Sequence, residues 1–461
     1  EAKMDFSSAN VPLWRFVIQM GIIAFTVILA TIIRRKIPLI KKTLIPTSVL
    51  AGFILLLIKS TNLLYVDPEF LEMVTYHGIA IGFIALSLRL PKEDKSPGAV
   101  RTAINSGALI VSTYLIQAIT GLAISLGLAY TFMPKLFKAS GILLPMGYGQ
   151  GPGQANNVGS TYEKLGFVGG QSYGLAIAAA GFLCSCIIGV IYINIQSRKN
   201  KLKKEEHDEI SGSVTIDEFQ DQGEIPIAQS IDKLSIQVAF IVFVYLCSYL
   251  VLDGVSKLLG NYFPGVAKTV SPLLWGFNFI FGSLFAILFR VIITRLKKVN
   301  VITRQYQNNY LLSRISGLAF DVMIVTGIAS INFEDISGLW VPFIITAIVG
   351  GIVTFLWVKF LCNRLYPDYK EESFLGMFGM LTGTISSGIL LLREIDPNFK
   401  TPAANNLVSG SGSGIAFGAP VLVLISMAPK TEYMPLVVIL LASIYLAILM
   451  AVMFIKKKKK D

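Results

Sequence analysis

Two stretches of this chain set neutral polar side chains in glycine-rich sequence between long apolar runs. The first reads Gly151-Pro152-Gly153-Gln154-Ala155-Asn156-Asn157 and the second Gly383-Thr384-Ile385-Ser386-Ser387. Glycine costs a helix about 1 kcal/mol per position and proline about 3, so a helix breaks at each stretch. Broken backbone at membrane depth survives only where protein buries it or a water-filled cavity faces it. Two short helices meeting at the break form a re-entrant hairpin, whose N–H groups and helix N-termini attract an anionic group. Gln154, Asn156, Asn157, Thr384, Ser386 and Ser387 add neutral donors and acceptors suited to an amino acid or small carboxylate. Together with Gly153 and Gly383 they form the candidate substrate site. An ordinary loop is the plainer reading of one such stretch; two at corresponding places in the halves of the chain favour hairpins.

The charged candidates lie nearby. Arg393 closes the second stretch and can meet a carboxylate with a bidentate fork; its alternatives are snorkelling or pairing with Glu394 or Asp396. Asp321 sits in a segment that is apolar apart from Thr326 and Ser330, and an ionisable residue in a crossing is a functional candidate. It suits a hard cation such as sodium, or a proton; otherwise it pairs with Arg314. Asn405 and Asn406 offer oxygens to the same cation or cap the next helix. Asp321, Asn405 and Asn406 are therefore the sodium candidates. His77, in the corresponding crossing of the first half, is expected at the interface, and Arg290 is expected to snorkel. The run Ser409-Gly410-Ser411-Gly412-Ser413-Gly414 is expected to pack closely on the second hairpin, as small residues do in membranes.

Other chemistries are poorly supplied. Two His and four Cys leave little for a metal centre, and no resident cofactor is expected. No crossing holds a catalytic constellation, so an enzyme is disfavoured. Gly149-Gln150-Gly151-Pro152-Gly153 follows no strand, so it is not a dinucleotide loop.

The elements that must hold these residues are membrane helices. Of 461 residues, 54% are hydrophobic and 15% charged, with mean hydropathy +0.66; soluble domains carry about 25% charged residues. At about 20 apolar residues per crossing, the chain has room for ten or so crossings. Apolar runs cover Val11–Ile33, Thr43–Ile58, Leu71–Leu88, Ile104–Phe132 and Tyr173–Ile195 in the first half. The second half has Leu234–Leu252, Leu273–Leu296, Ile315–Ile331, Trp340–Leu361 and Ala403–Met427, followed by Pro435–Ile455. The net charge of +12 belongs to the cytoplasmic side of a membrane. Nucleic acid is not indicated, because the Lys and Arg form no aromatic-interleaved patch.

Basic residues cluster on alternate connections: Arg34, Arg35, Lys36, then Arg89, Lys92, Lys95, Arg101, then Arg295, Lys297, Lys298. This places the N-terminus outside, with the polar linker and the final lysines inside. An odd number of crossings per half then inverts the second half relative to the first, an architecture common in secondary transporters. The fold class is an all-α polytopic membrane protein of two five-helix inverted-topology repeats, each with a re-entrant hairpin, plus one extra C-terminal transmembrane helix. The first repeat covers 1–196 with its hairpin at about 139–163, and 197–233 is a cytoplasmic linker. The second repeat covers 234–428 with its hairpin at about 373–395, and 429–461 holds the last helix and a basic tail. Ile45 to Phe53 has a loose partner in Ser271 to Phe277.

These features resemble the bacterial glutamate:sodium symporter family over most of the chain. The resemblance rests on the five-helix halves, the central linker, Ile45-Pro46-x-x-Val49-x-x-Gly52 and the glycine-rich hairpin before each fifth crossing. The family's Gly-x-Gly-Thr-Ala signature reads Gly151-Pro152-Gly153-Gln154-Ala155 here, with Gln154 in place of threonine, and the last crossing exceeds a ten-helix plan. The resemblance implies sodium-coupled symport of glutamate or a related acidic amino acid. It also implies an elevator-like, hairpin-bearing moving domain, a homodimer and a bacterial cytoplasmic membrane. A sodium- or proton-coupled symporter of a di- or tricarboxylate is the alternative; an embedded enzyme or a channel is more distant.

Overall fold

The computed structural model describes residues 5–38, 40, 45–90, 99–198, 232–264, 267, 271, 274–275, 278–396 and 401–454. Helices α1 to α4 are Val11–Lys36, Thr47–Ser60, Pro68–Leu88 and Ala99–Thr131. A 3₁₀ turn (Lys138–Ile142) and a π turn (Pro145–Gly149) lead to α5 (Pro152–Lys164) and α6 (Gly170–Arg198). Then come α7 (Lys233–Tyr262), α8 (Asn278–Lys298), α9 (Asn309–Ala329) and α10 (Trp340–Leu365). The chain finishes with α11 (Lys370–Thr382), α12 (Ile385–Arg393), α13 (Ala403–Met427) and α14 (Met434–Phe454).

Ten of these helices are long and apolar enough to cross a membrane, and no strand occurs among the described residues. The chain is a multi-pass membrane protein. The second apolar run is the exception to full length. Its helix α2 has 14 residues, about 21 Å at 1.5 Å per residue, which is shorter than a hydrocarbon core of about 30 Å. The expected linker lies outside the described residues except at its edges, as does the lysine tail.

Helix starts follow local sequence chemistry. Asn10, Asp67, Asp232 and Asn308 each accept a hydrogen bond from the first turn of the helix they precede, satisfying amides that a helix leaves open. Two glutamines on other helices secure the same points. Gln19 of α1 donates to the Tyr65 carbonyl (3.3 Å) and accepts from the Asp67 N–H (3.0 Å). Gln237 of α7 donates to the Tyr306 carbonyl (2.8 Å) and accepts from the Asn308 N–H (3.2 Å).

At the centre α3 and α9 cross in direct contact. Glycine allows the close approach: a Cβ on Gly78 would stand 3.0 Å from Met323 Cβ, and one on Gly82 2.4 Å from the Phe320 ring. Thr75 and Thr326 share a buried hydrogen bond of 2.9 Å across the crossing. Gly52 of α2 seats Ile328 of α9, and Gly282 of α8 seats Ile84 of α3.

Three apolar clusters organise the packing. Two smaller ones join α1, α2, α3 and α9, and α3, α7, α8 and α9. The largest centres on α4, α5, α6, α10, α11, α13 and α14, the part that carries both glycine-rich stretches.

Candidate functional site

Each glycine-rich stretch is a helix break. In the first, Gly147 and Gly149 let the π turn press on its neighbours: a Cβ would stand 2.7 Å from the Ala178 N and 2.5 Å from the Tyr114 ring. Gly151 then turns the chain at φ +83°, a conformation open chiefly to glycine, and Pro152 starts α5 at a position that needs no N–H. In the second, α11 ends at Thr382, Gly383 leaves the helix at φ −143° and ψ −103°, Thr384 is extended, and α12 starts at Ile385. The first leg of the first stretch is thus 3₁₀ and π turns, whereas a short α-helix was expected there.

The two breaks meet. A Cβ on Gly151 would stand 3.4 Å from the Gly383 carbonyl oxygen and 3.4 Å from Thr384 Cγ2. Gly153 points elsewhere: its Cβ would stand 2.5 Å from Ile79 Cδ1 and 2.9 Å from Met323 Sδ, on the α3/α9 crossing. Pro152 packs on Gly327 of the same crossing. Gly151, the turning residue just before α5, thus faces the second break, whereas Gly153, in the first turn of α5, faces the α3/α9 crossing.

The polar side chains around the breaks are buried without partners. Gln154 is 1% exposed and Asn157 4%, and neither the oxygen nor the nitrogen of either amide has a hydrogen bond. The hydroxyls of Thr384 and Ser387 are also buried and unpartnered. Most buried polar groups find a partner, and each one left without costs about 1–3 kcal/mol. No side chain caps α5 or α12, so their first amides remain open as well. Asn156 differs, accepting a 2.8 Å hydrogen bond from Gln171. The side chains of Ser386 and Arg393 lie outside the described set.

Gln117 of α4 joins the second break to the rest of the core. Its Nε2 donates to Thr354 Oγ1 (3.0 Å) and the Leu381 carbonyl (2.9 Å), which leaves Oε1 unpartnered and facing Gly149. The sequence reading missed it, although a lone glutamine in an apolar crossing is itself a signal.

The sodium candidates have separate surroundings. Asp321 lies beside Ser48 of α2, and Arg314 stacks over Tyr310 at 5.1 Å instead of pairing with it. Asn406 donates to Tyr369 Oη (3.0 Å) at the start of α11, and Asn405 is exposed; neither caps α13, whose N-cap is Pro402. No group of three or more His, Cys, Asp or Glu able to hold a metal occurs among the described residues.

Other expectations shift in detail. His77 bonds Tyr245 Oη through Nδ1 at 2.8 Å. Arg290 is not merely snorkelling; it donates to the Ser87 and Arg89 carbonyls (3.1 and 2.8 Å) at the end of α3. The small-residue run of α13 packs chiefly on α4: Ser413 donates to the Ala103 carbonyl at 2.6 Å, and Gly410 meets Ser106. Its contact with α11 is the long Ser411–Met380 Sδ approach of 3.7 Å. The loose pairing of Gly52-Phe53 with Gly276-Phe277 falls on residues outside the described set at the second site.

No family model matches this chain, and no curated protein matches it.

Proposed function

We propose that this chain is a secondary active transporter that binds a small anionic amino acid where its two helix breaks meet. The observation that carries this reading is the contact of Gly151 with Gly383 and Thr384, amid buried amides and hydroxyls that have no partner. Open amides at the N-termini of α5 and α12 attract a carboxylate without a buried cation. Gln154 and Asn157 supply both donors and acceptors, and the acceptors suit an ammonium group. That pairing favours an acidic amino acid such as glutamate over a di- or tricarboxylate, which needs donors alone. Thr384 and Ser387 offer hard oxygen ligands for a sodium ion.

The proposed architecture is a pair of inverted-topology repeats, α1–α6 and α7–α13, each with a re-entrant hairpin, followed by α14. The equivalent bonds of Gln19 and Gln237 support it. So do the reciprocal seats of Ile328 on Gly52 and Ile84 on Gly282, which make Gly282 the counterpart of Gly52. A third reciprocal pair consists of two cations that each donate to backbone carbonyls. Lys59 of α2 donates to the Ala329 and Ile331 carbonyls at the end of α9, and Arg290 of α8 does the same for α3.

In this reading the two smaller apolar clusters form a scaffold, and the large cluster forms a hairpin-bearing body that moves against it. Pro152 and Gly153 slide along the α3/α9 crossing. The chain sits in a bacterial cytoplasmic membrane as a homodimer, with its N-terminus outside and its C-terminus inside. Radiolabelled uptake into proteoliposomes tests the reading. Saturable L-glutamate uptake that needs a sodium gradient is the expected result. Equal uptake in sodium and choline buffers would remove sodium coupling, and competition only by di- or tricarboxylates would move the substrate to that class.

A further inference from the structure

A second polar cluster lies at the end of α11 opposite the second break, where α6, α10 and α11 converge. Lys359 Nζ bonds Glu371 Oε2 at 2.6 Å and also donates to Tyr192 Oη. Tyr192 donates to the same carboxylate oxygen at 2.6 Å. The ammonium also lies over the rings of Tyr192 (4.8 Å) and Phe374 (4.6 Å). Glu371 is thus neutralised internally, and Lys359 is fully engaged. Beside them is a half-open cavity of about 470 Å³ lined by Tyr192, Gln196, Lys359, Lys370 and Glu371.

Two lining groups remain unsatisfied. Lys370 is exposed and forms no ion pair among the described residues. Gln196 lies against Tyr192, and its Oε1 is buried without a partner. The cavity therefore offers one free cation and one free acceptor, with a net lining charge of one positive unit.

Its depth says what can reach it. Lys359 is the twentieth residue of α10, about 28 Å along the helix at 1.5 Å per residue, so it lies close to the far edge of the hydrocarbon core. Gln196 is two residues from the end of α6, and Lys370 opens α11. The same helices expose Ile191 and Ile195, and Leu356 and Phe360, just before the polar rim. An apolar flank leading to a basic cavity at headgroup depth fits a lipid with a negative headgroup.

We propose that this cavity holds the glycerophosphate headgroup of an anionic phospholipid, with its phosphate on Lys370 and a headgroup hydroxyl donating to Gln196 Oε1. The acyl chains lie along the exposed isoleucines of α6. Phosphatidylglycerol supplies both functions. Phosphatidylcholine has no headgroup donor and would bring a second cation to Lys370. Because Lys370 and Glu371 begin α11, the lipid is held by the segment that leads to the second break.

Native mass spectrometry of the full-length protein, released from micelles doped with equal phosphatidylglycerol and phosphatidylcholine, tests this. Selective retention of phosphatidylglycerol is expected. Lys370→Ala is expected to weaken retention about fivefold, the usual effect of one lysine at a membrane surface, and Lys370→Arg to preserve it. Gln196→Leu is expected to reduce the preference for phosphatidylglycerol over phosphatidic acid, which lacks the headgroup hydroxyls. Lys298→Ala, an exposed lysine at the end of α8, is the control for general surface charge and is expected to change retention less than twofold. The proposal is overturned by equal retention of both lipids, by no effect of Lys370→Ala, or by an equal effect of Lys298→Ala. Binding of soluble glycerol 3-phosphate as tight as that of the lipid would overturn the lipid assignment and leave a soluble phosphate site. An unchanged melting temperature for Lys370→Ala separates lost binding from lost fold.

Discussion

Gln19 and Gln237, on the first helix of each half, make the same two hydrogen bonds to the backbone that starts the third helix. In both cases the amide N–H goes to a carbonyl two residues before the N-cap, and the amide oxygen takes the N-cap N–H. Both glutamines are buried, so each bond pair anchors the start of the third helix from its protein-facing side. Similar three-dimensional surroundings at both sites predict similar energetics. Gln19→Leu and Gln237→Leu should each lower stability by about 1–3 kcal/mol, because each leaves a backbone N–H without its side-chain acceptor. The sites share no partner, so the double variant should add within about 0.5 kcal/mol. Thermal unfolding in detergent checks both. Loss at only one site would count against equivalent halves.

The two ends of the bundle should open to opposite sides of the membrane. Single cysteines at Ser337, in the turn before α10, and at Asn300, just after α8, should label from opposite faces of intact cells in a background without native Cys. Ser337 is expected outside and Asn300 inside. Labelling of both from one face would end the inverted reading.

At the breaks, the unpartnered amides predict a trade between stability and activity. Asn157→Leu and Gln154→Leu replace buried, unsatisfied groups with apolar ones of similar size. The protein without substrate should melt at the same temperature or higher, because an unmade hydrogen bond costs about 1–3 kcal/mol in the parent. Uptake should fall at least tenfold. A lower melting temperature in both variants would mean that the amides already serve the fold.

Gly151 and Gly153 should separate the contact between the breaks from the contact with the scaffold. Gly151→Ala places a Cβ at ordinary distance from Gly383 and Thr384 but forces φ +83° on a residue that disfavours it. It should destabilise by about 1–2 kcal/mol and impair substrate binding. Gly153→Ala pushes on Ile79 and Met323, so it should slow transport more than it weakens binding. Binding measured by isothermal calorimetry beside initial uptake rates distinguishes the two. Identical effects would place both glycines in one role.

Lys359 and Glu371 provide a coupled test. Removing one partner of this partly buried pair should cost about 1–3 kcal/mol, because the other charge loses its hydrogen-bonded partner. Lys359→Met and Glu371→Gln should each destabilise strongly, and the double variant should be more stable than either single one. A double variant no better than the singles would mean that the pair carries no interaction energy.

Membrane embedding and the positions of the two breaks were legible in the sequence because they depend on local properties. Hydropathy summed over about 20 residues identifies a crossing, and glycines crowded beside Pro152 weaken a helix at that one place. Helix starts were read less well: the apolar runs beginning at Leu71 and Ile315 miss the polar first turns that Asp67 and Asn308 cap. What faces what was settled only by tertiary structure. Gly151 turns the chain at φ +83° while Gly153 already lies in a helix, so the sequence could not tell that Gly151 meets Gly383 while Gly153 meets Ile79. Arg290 reads as a snorkelling residue until the end of α3 arrives beside it, more than 200 residues away in the chain. Gln19 and Gln237 read as isolated polar residues in apolar helices. Their equivalence appears only when turns 46 and 69 residues away come within hydrogen-bonding distance, because a hydrogen bond is set by position in space and leaves no period in the chain.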